Sequence, residues 1–360
     1  MVKQNLLIIS PTLPNPEMSA GDYRVYNLTK ELKKYFNIFF IPLNYKKLSK
    51  FDIKNFSTIT KNIVKPVNSE KKFKNFLEQN NIKVCIFEKY FLMTFDVCKF
   101  MPLIKIPIVD VHEIGFVKSQ AQSKIKKLDN LKLFKAKELL FYKNAKLLIA
   151  ITDNEKKILK EYFPNKKIVV LPTCTEVSNS IKKDFEKRKD ICYFGFFGHK
   201  PNIDAVNYFV KNVFNKIKIP NMKFYVLGYG SKQIKSIKNI VSIDNIKNIS
   251  KELSKYKVFV CPLRYGAGLK KKVLDAMAAK TPIVSTSFGM EGIKYLEKQF
   301  FDVDSKEFIN KITELYTNKK VWQKESKRNY KIVKKYYSVS SFKNYVKSIV
   351  KTTKYYKTTN

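Results

Sequence analysis

Short apolar runs alternate with helical patterns along the whole chain, and this alternation limits the folds open to it. The apolar runs show no internal polar alternation, which is typical of strands covered on both faces in a parallel α/β sheet. Because the scheme recurs in each half, we predict two doubly wound α/β domains. The predicted strands are Leu6–Ser10, Ile38–Pro42, Lys83–Phe87, Ile106–Val111, Leu147–Ile151 and Ile168–Leu171, followed by Cys192–Phe197, Phe224–Leu227, Ile240–Ile243, Val258–Leu263 and Pro282–Ser285.

A charged stretch without apolar periodicity divides the two halves. We predict an N-terminal domain over 1–175, a linker over 176–190, a C-terminal domain over 191–335 and a packing helix over 336–360. In that last helix, Phe342, Tyr345 and Ile349 recur at helical spacing. The other predicted helices are Tyr23–Lys34, Ser119–Asn144, Asn154–Tyr162, Ile203–Lys216 and Leu269–Lys280.

Lysine dominates the charge of the chain. There are 71 Lys+Arg against 30 Asp+Glu, a net charge of +41, and only four of the basic residues are arginine. Spread over every surface, such a bias indicates solvated faces and no nucleic-acid partner, and it is compatible with peripheral contact with an anionic membrane surface. Among so many lysines, an arginine indicates a position that needs a planar guanidinium group able to make two parallel hydrogen bonds. We therefore single out Arg24 and Arg264. Arg188 and Arg328 lie in charge-rich segments, where we predict surface positions.

The cysteines and histidines of the chain indicate neither a metal site nor a secreted, disulfide-bonded fold. The five cysteines show no CxxC spacing, so we predict free thiols in a reducing compartment. The chain has only two histidines, which argues against a histidine-built metal centre. The N-terminal apolar run is too short for a signal peptide, and charges interrupt the apolar region 83–111. We therefore expect a cytoplasmic protein without a membrane span, with the inner face of the membrane as its peripheral contact.

Glycines and charged residues follow predicted strands, where open α/β sheets bind ligands. After the first strand, Gly21 opens a helix that contains Arg24, and a glycine there lets backbone amides approach an anion or a sugar. A simple turn capped by Ser19 or Asp22 is the alternative. After the fourth strand comes His112 between acidic residues, which is either a ligand-contacting acid or base or a structural histidine.

The segment after Val258–Leu263 carries the strongest signal. Arg264, Gly266 and Gly268 precede Lys270–Lys272 at the start of a helix. Lysines are disfavoured at a helix N-terminus because the helix dipole is positive there, and a bound anion reverses this. We therefore predict a diphosphate site, although lysine bias alone is the alternative. The flanking loops contribute Gly195, Gly198, His199, Gly289, Glu291 and Gly292.

Four stretches resemble the group-1 glycosyltransferases, the large retaining family 4 with the GT-B fold. The closest likeness is to the family's donor-binding segment, in RYGAGLKKKVLDAMAAKTPIVSTSFGMEGI. The start of the family's C-terminal domain resembles FFGHKPNIDAVNYF, and its two N-terminal cleft loops resemble SPTLPNPEMSAGDYRVYNL and VDVHE. The likeness runs from about residue 5 to residue 295. It implies two Rossmann-like domains facing a cleft, with a C-terminal helix that crosses back to the N-terminal domain.

The resemblance also implies a function. A nucleoside-diphosphate sugar would be held mainly by the C-terminal domain, and a glycan, lipid-linked or polysaccharide acceptor mainly by the N-terminal one. The sugar would be transferred with retention of configuration, in the biosynthesis of a cell-envelope polysaccharide. Arg264 and Lys270 would neutralise the leaving diphosphate, helped by Lys272, so no metal or other cofactor would be required.

Further residue roles follow from the same resemblance. His112 would contact the donor sugar near its reacting carbon, and Asp275 would bind the ribose hydroxyls. Gly21 would let its loop approach the diphosphate or the acceptor, and Gly289 with Glu291 would lie near the sugar or the diphosphate. The remaining donor-site positions implied are Gly198, His199, Gly266 and Gly268.

The chain departs from the family pattern at two positions. The family's acidic pair corresponds to Ala267 and Asp275, so the first carboxylate is missing. His199 stands where the family usually has an arginine. An inverting GT-B transferase or a sugar-nucleotide epimerase, with His112 as base, is one alternative function. A non-catalytic basic protein that binds membrane or nucleic acid is the other.

Overall fold

The computed structural model describes residues 3–16, 19–67, 69–88, 97–117, 119, 131–178, 184–234, 238–266, 268–294, 296 and 299–358. The chain forms two compact units. The N-terminal unit comprises Met1–Pro172 together with Lys343–Asn360, and the C-terminal unit comprises Thr173–Phe342. The predicted α/β class with two parallel sheets is confirmed.

The N-terminal unit is built on a seven-stranded sheet in the order β3-β2-β1-β4-β5-β6-β7, and every recorded strand pair is parallel. The central strands are buried on both faces, as their continuous apolar sequence predicts. The strands are β1 Gln4–Ser10, β2 Phe36–Pro42, β3 Asn62–Ile63, β4 Val84–Glu88, β5 Ile106–Val111, β6 Leu147–Ala150 and β7 Lys167–Val170.

Side-chain caps fix the starts of several helices in this unit. Ser49 and Thr152 form capping boxes with Asp52 and Glu155, which satisfy backbone N–H groups that a helix start leaves unpaired. The helices are α1 Ala20–Leu32, α2 Lys50–Phe56, α3 Glu70–Gln79, α4 Leu131–Asn144 and α5 Asp153–Tyr162, with 3-10 turns at Tyr45–Lys47 and Val97–Leu103.

The strand order of this sheet reverses between β1 and β4, and such a switch point opens a crevice at the carboxyl ends of the strands. Parallel pairing of β4 with β5 sets Glu88 beside Asp110 in register. His112 follows two residues after Asp110, so it lies on the same side of the sheet. The fold therefore gathers polar side chains at the switch point.

The C-terminal unit contains a five-stranded parallel sheet in the order β10-β9-β8-β11-β12. Its switch point lies between β8 and β11. The strands are β8 Lys189–Phe194, β9 Phe224–Leu227, β10 Ile240–Ile243, β11 Tyr256–Cys261 and β12 Ile283–Ser285.

Helices flank this second sheet and extend to the C-terminus. They are α6 Lys200–Asn212, α7 Ile249–Leu253, α8 Lys271–Ala278, α9 Ser287–Met290, α10 Lys306–Thr317, α11 Lys319–Tyr336 and α12 Val339–Thr358, with 3-10 turns at Phe185–Lys187, Phe214–Lys216 and Ser231–Gln233. In α12, Phe342 and Ile349 are buried, in agreement with the predicted packing face. Within the described part of the chain, no helix combines the length and the apolar character that a bilayer span requires.

Two expectations at the domain boundary differ from the structure. β8 begins at Lys189, inside the predicted linker 176–190, of which residues 179–183 lie outside the described residues. Arg188 is buried, not on the surface: it donates hydrogen bonds to Thr281 Oγ1 at 2.9 Å and to the carbonyl oxygen of Ala279 at 3.0 Å. A planar fork can satisfy both acceptors, and its face lies against the Trp322 ring.

Candidate functional site

A polar pocket of about 260 Å³ lies at the switch point of the N-terminal sheet. It combines the carboxyl ends of β1 and β4, the segment after β5 and the start of α1. This is the place where a doubly wound sheet binds ligands. The lining includes Ser10, Thr12, Ser19, Gly21, Glu88 and His112.

The start of α1 forms one wall of this pocket. Ser19 caps the helix and accepts a hydrogen bond from the backbone N–H of Asp22 at 3.0 Å. The capped turn considered from the sequence is therefore present. Gly21 lines the pocket as well, so the cap and a ligand-facing glycine occur together.

Arg24 joins α1 to the sheet below the pocket. Its Nε and Nη2 donate to the two carboxylate oxygens of Asp110 at 2.9 and 2.5 Å, and Nη1 donates to the carbonyl oxygen of Leu171 at 2.5 Å. Both side chains of the ion pair are buried. The bidentate guanidinium group predicted for Arg24 therefore binds a buried aspartate of the same unit, Asp110.

His112 connects this ion pair to Glu88. Its Nε2 lies 2.5 Å from Glu88 Oε2 and 3.4 Å from Asp110 Oδ2. Burial disfavours the imidazolium, but the carboxylates of Glu88 and Asp110 outweigh burial and raise the pKa of His112 to about 9. This shift favours the imidazolium form of His112 at neutral pH.

The two carboxyl groups of the network respond in opposite ways. Burial opposes the ionisation of Asp110, yet Arg24 and His112 outweigh it and lower the pKa of Asp110 to about 2. Burial, followed by the charge of Asp110, raises the pKa of Glu88. With all four groups ionised, the network of Arg24, Asp110, His112 and Glu88 carries no net charge.

Glu88, Asp110 and His112 also place one potential metal-ligand atom each within 4.8 Å of one another. Arg24 already occupies both oxygens of Asp110, and His112 holds a proton that a metal would have to displace. The donor set is therefore better described as an ion-pair network than as a metal centre.

In the C-terminal unit, Lys272 reaches the switch point between β8 and β11. Its Nζ donates to the Tyr193 hydroxyl at 2.7 Å and to Asn202 Oδ1 at 2.6 Å. Burial lowers the pKa of Lys272 to about 8, and the nearby Lys270 acts in the same direction. Gly195 leaves room for this ammonium group, because a Cβ there would lie 3.2 Å from Nζ. Lys272, predicted to help Arg264 and Lys270, is therefore held by two side chains of this unit.

Lys270 is the N-cap residue of α8 and joins two other predicted positions. Its Nζ donates to the carbonyl oxygen of Gly268 at 2.5 Å and to Glu291 Oε2 at 3.2 Å. Gly266 and Gly268 have φ values of 143° and 76°, which only glycine adopts without strain. The turn therefore depends on both glycines, and it brings Lys270 into contact with Glu291.

Asp275 is buried one turn into α8 and is engaged within the protein. It accepts hydrogen bonds from Thr175 Oγ1 at 2.6 Å and from Lys271 Nζ at 2.7 Å. Lys271 is therefore paired with Asp275 within the same helix. Ala267, the counterpart of the family's first acidic residue, lies outside the described residues.

Arg264 makes a bidentate ion pair with Asp204 of α6. Its Nε and Nη2 donate to the two carboxylate oxygens at 3.0 and 2.6 Å, and the guanidinium group lies 4.2 Å from the centre of the Tyr208 ring. The Arg264 side chain is 36% exposed. The bidentate guanidinium group of Arg264 therefore pairs with a carboxylate of the same unit.

The remaining predicted positions separate into two kinds. His199 is the exposed N-cap residue of α6, and Gly198 beside it avoids a clash with the Phe196 ring. Gly289 is buried in α9, where a Cβ would lie 2.1 Å from Ser285 Oγ. Packing accounts for Gly289 without a ligand, whereas Gly198 and His199 are accessible to one.

Sequence reasoning missed Glu88 and Asp204. Glu88 counted only among the charges that interrupt the apolar region 83–111, yet it directly follows the predicted strand Lys83–Phe87, just as His112 follows Ile106–Val111. That position was an available signal. Asp204 lies 60 residues from Arg264, so a single sequence gave no indication of their pairing.

The C-terminal unit matches a known protein family over most of its length. Residues 188–318 match the family model of the glycosyl transferases, group 1. No curated protein sequence matches the chain. The chain also resembles solved structures, and this likeness supports the GT-B fold predicted from the sequence.

Three of these structures resemble the whole chain. Sucrose-phosphate synthase from Thermosynechococcus elongatus has a TM-score of 0.73 at 13% identity, covering 97% of this chain and 99% of that one. A glycosyltransferase from Rickettsia africae has a TM-score of 0.66 at 13% identity, covering 99% and 98%. A third, Anabaena HepE in complex with UDP, has a TM-score of 0.66 at 10% identity, covering 97% and 100%.

Proposed function

We propose that the chain is a glycosyltransferase that moves a sugar from a nucleoside-diphosphate sugar to a glycan, lipid-linked or polysaccharide acceptor. The transfer proceeds with retention of configuration and needs no metal. The function belongs to the biosynthesis of a cell-envelope polymer, and the lysine-rich surface adds contact with anionic membrane.

One observation carries the proposal: Arg264, Lys270 and Lys272 all lie on the segment between the end of β11 and the first turn of α8, and Arg264 and Lys272 both contact side chains of α6. These cations stand beside the starts of α6 and α8, and both helix dipoles and cations attract a diphosphate there. The family match of residues 188–318 covers this segment. The structural neighbour HepE, which has been solved with UDP and with UDP-glucose, supports the class of donor.

The charge on this segment suits a leaving diphosphate. In a retaining transfer the bond from the sugar to the phosphate breaks while negative charge develops on the phosphate oxygen. Lys270 is partnered by Glu291 and Arg264 by Asp204, so an entering diphosphate can share each cation with its carboxylate. Electrostatic stabilisation of developing charge is the largest single contribution in many enzymes.

We assign the other predicted positions to neighbouring parts of the donor. The donor reaches the backbone and side chains of the same loops at four positions: Gly198, His199, Gly266 and Gly268. Asp275 binds the ribose hydroxyls by exchanging its contact with Lys271. Glu291 lies beside Lys270 and faces the sugar or the diphosphate.

In the N-terminal unit we assign His112 to sugar binding. Its imidazolium form donates hydrogen bonds, and its place in the pocket beside Gly21 gives a sugar access to it. A protonated histidine stabilises negative charge but accepts no proton. Retention with the leaving phosphate as base is therefore consistent with this charge state.

Thermal unfolding in the presence of nucleoside diphosphates tests the donor site. We expect one of UDP, GDP, ADP and TDP to raise the melting temperature at low and at high salt, because a built site keeps its affinity when surface charges are screened. Arg264→Ala should abolish this shift. Lys232→Ala removes one lysine outside the proposed site and serves as the control. No shift with any of the four nucleotides would contradict the proposal.

A further inference from the structure

Helix α4 of the N-terminal unit exposes two leucines on its outer face. Leu133 and Leu140 each have a relative exposure of 55%. They are seven residues apart, so they lie two turns from each other on the same side of the helix. The opposite side packs inward through Phe141 and Tyr142. The other exposed positions of the outer face are Lys132, Ala136, Lys137 and Lys143.

The charged groups of this outer face are all cations. The one acidic residue of α4, Glu138, is buried and accepts hydrogen bonds from the backbone N–H groups of Gly115 and Phe116 at 2.8 Å each. Helix α3 is a useful contrast, because it is also rich in lysine. Its exposed positions include the acidic Glu70 and Glu78 and are otherwise polar or basic. The outer face of α4 therefore differs from an ordinary lysine-rich surface by its exposed leucines and its single sign of charge.

We propose that the outer face of α4 docks on an anionic lipid bilayer. The leucines enter the boundary between headgroups and acyl chains, while the lysines bind the acidic headgroups. Lysine side chains are long enough to keep their ammonium groups at headgroup level when their neighbours insert. The inference assigns a defined surface to the membrane contact of the proposed function, and the choice of a lipid partner rests on that function.

The chemistry of the outer face favours a bilayer over other partners. A second copy of this chain would bring the same lysines face to face, and like charges repel. A nucleic acid would pair its phosphates with the lysines but would leave Leu133 and Leu140 in water. An anionic bilayer supplies negative charge for the lysines and an apolar interior for the leucines.

Helix α4 also connects the outer face to the N-terminal pocket. Gly115 and Phe116, which Glu138 holds through their N–H groups, follow three and four residues after His112. His112 lines the pocket. A docked α4 would therefore hold the segment after β5 about one helix diameter from the bilayer, ~10–12 Å. A lipid-linked acceptor would reach the pocket from that side.

Co-flotation of the full chain with lipid vesicles tests this inference. The vesicles would contain phosphatidylcholine alone or an equal mixture with phosphatidylglycerol, at low and at high salt and without nucleotide. We expect binding to the anionic vesicles, weakened about tenfold or more in Leu133→Ser/Leu140→Ser because the leucines no longer transfer apolar surface out of water. Lys132→Gln/Lys137→Gln should weaken binding about tenfold at low salt and less at high salt, since salt screens the lost charges.

Two matched controls separate docking from the general attraction of a basic chain. Phe51→Ser changes another exposed apolar residue beside a lysine, on α2 between β2 and β3, whereas α4 lies between β5 and β6. Lys71→Gln/Lys72→Gln removes two exposed lysines of α3. Both controls should bind vesicles as the wild type does. All four variants change exposed side chains, so their melting temperatures should match that of the wild type.

Several results would overturn the inference. Equal vesicle binding of the wild type and Leu133→Ser/Leu140→Ser would do so, as would equal losses in the α3 and α4 lysine variants. A wild-type dimer that becomes a monomer in Leu133→Ser/Leu140→Ser, without vesicle binding, would assign the outer face to a second copy. Size-exclusion chromatography with light scattering measures this.

The outcomes also separate this inference from the proposed function. Nucleotide stabilisation that depends on Arg264 would survive a failure of vesicle binding, because it is measured without lipid. Conversely, vesicle binding that depends on Leu133 and Leu140, without stabilisation by any nucleotide, would contradict the proposed function and leave the docking surface standing.

Discussion

Arginine and lysine have different tasks in this chain. Arg24 and Arg264 each donate to both oxygens of one aspartate, and Arg188 donates to three acceptors, the carbonyl oxygens of Tyr256 and Ala279 and the hydroxyl of Thr281. Their scarcity among so many lysines predicted the forks at Arg24 and Arg264. It could not identify the acceptors, because Asp110 lies 86 residues from Arg24 in the sequence.

The two arginine–aspartate pairs differ mainly in burial, and this difference predicts unequal stability effects. Asp110→Asn removes the carboxylate that is directly paired with the buried guanidinium group of Arg24, which should destabilise the protein by about 3–5 kcal/mol. Asp204→Asn should cost less than ~1 kcal/mol, since the Arg264 pair is partly exposed. Urea unfolding followed by circular dichroism measures both. Similar losses for the two variants would contradict the buried role of Arg24.

The buried ammonium group of Lys272 predicts a pH dependence of nucleotide binding. Its pKa is lowered to about 8, so Lys272 is cationic below that pH and neutral above it. A bound diphosphate favours the cation and must recruit a proton at higher pH. Affinity for the stabilising nucleoside diphosphate should therefore weaken above pH 8, by at most about tenfold per pH unit.

Calorimetric titrations between pH 7 and 9.5 measure this effect. In Lys272→Met the group that titrates is gone, so the affinity should be lower at neutral pH and its decline above pH 8 should disappear. An unchanged decline in the variant would mean that another group binds the proton.

At the scale of elements, local sequence predicted the strands well and the helices less well. Ile106–Val111, Phe224–Leu227 and Ile240–Ile243 are confirmed at both ends. The two-residue edge strand β3 was missed because so short a segment has no readable pattern. Neither α2 nor α3 was predicted, although Ser49 and Ser69 cap their starts. Part of the predicted helix Ser119–Asn144 lies outside the described residues.

The short helix α9 can pack against the sheet only because residue 289 is a glycine. A Cβ at Gly289 would approach Ser285 Oγ to 2.1 Å and Cys261 Sγ to 2.8 Å, both in buried strands. Gly289→Ala should therefore displace α9 and cost about 1–3 kcal/mol, as overpacking of a core does. Ser287→Ala on the exposed side of the same helix should change stability by less than ~0.5 kcal/mol. Equal stability of the two variants would show that α9 accommodates the added methyl group.

For the whole molecule, the repeated pattern of strands and helices was sufficient to predict two doubly wound units. The same topology predicted where polar loops would meet in each unit, at the carboxyl ends of neighbouring strands. The ion-pair partners within those loops required coordinates. Glu88 and Asp110 come together through strand register, and Asp275 meets Thr175 across 100 residues of sequence.

The net charge of +41 is also a property of the whole molecule, and it complicates any binding experiment. A chain this basic attracts nucleotides, nucleic acids and vesicles without a specific site. Binding at a specific site differs from that background in two ways: it persists at high salt, and it depends on single residues. The paired design of wild type and Arg264→Ala relies on this difference.

The most direct test of the central claim is the release of nucleoside diphosphate from a nucleotide sugar. The full chain would be incubated with UDP-, GDP-, ADP- and TDP-glucose, with p-nitrophenyl glycosides as acceptors, and the released nucleotide measured over time. We expect release from one donor, with Arg264→Ala slower by about 10²–10³, the effect of removing one charge-stabilising group. No release from any donor, or equal rates in the wild type and the variant, would contradict the account.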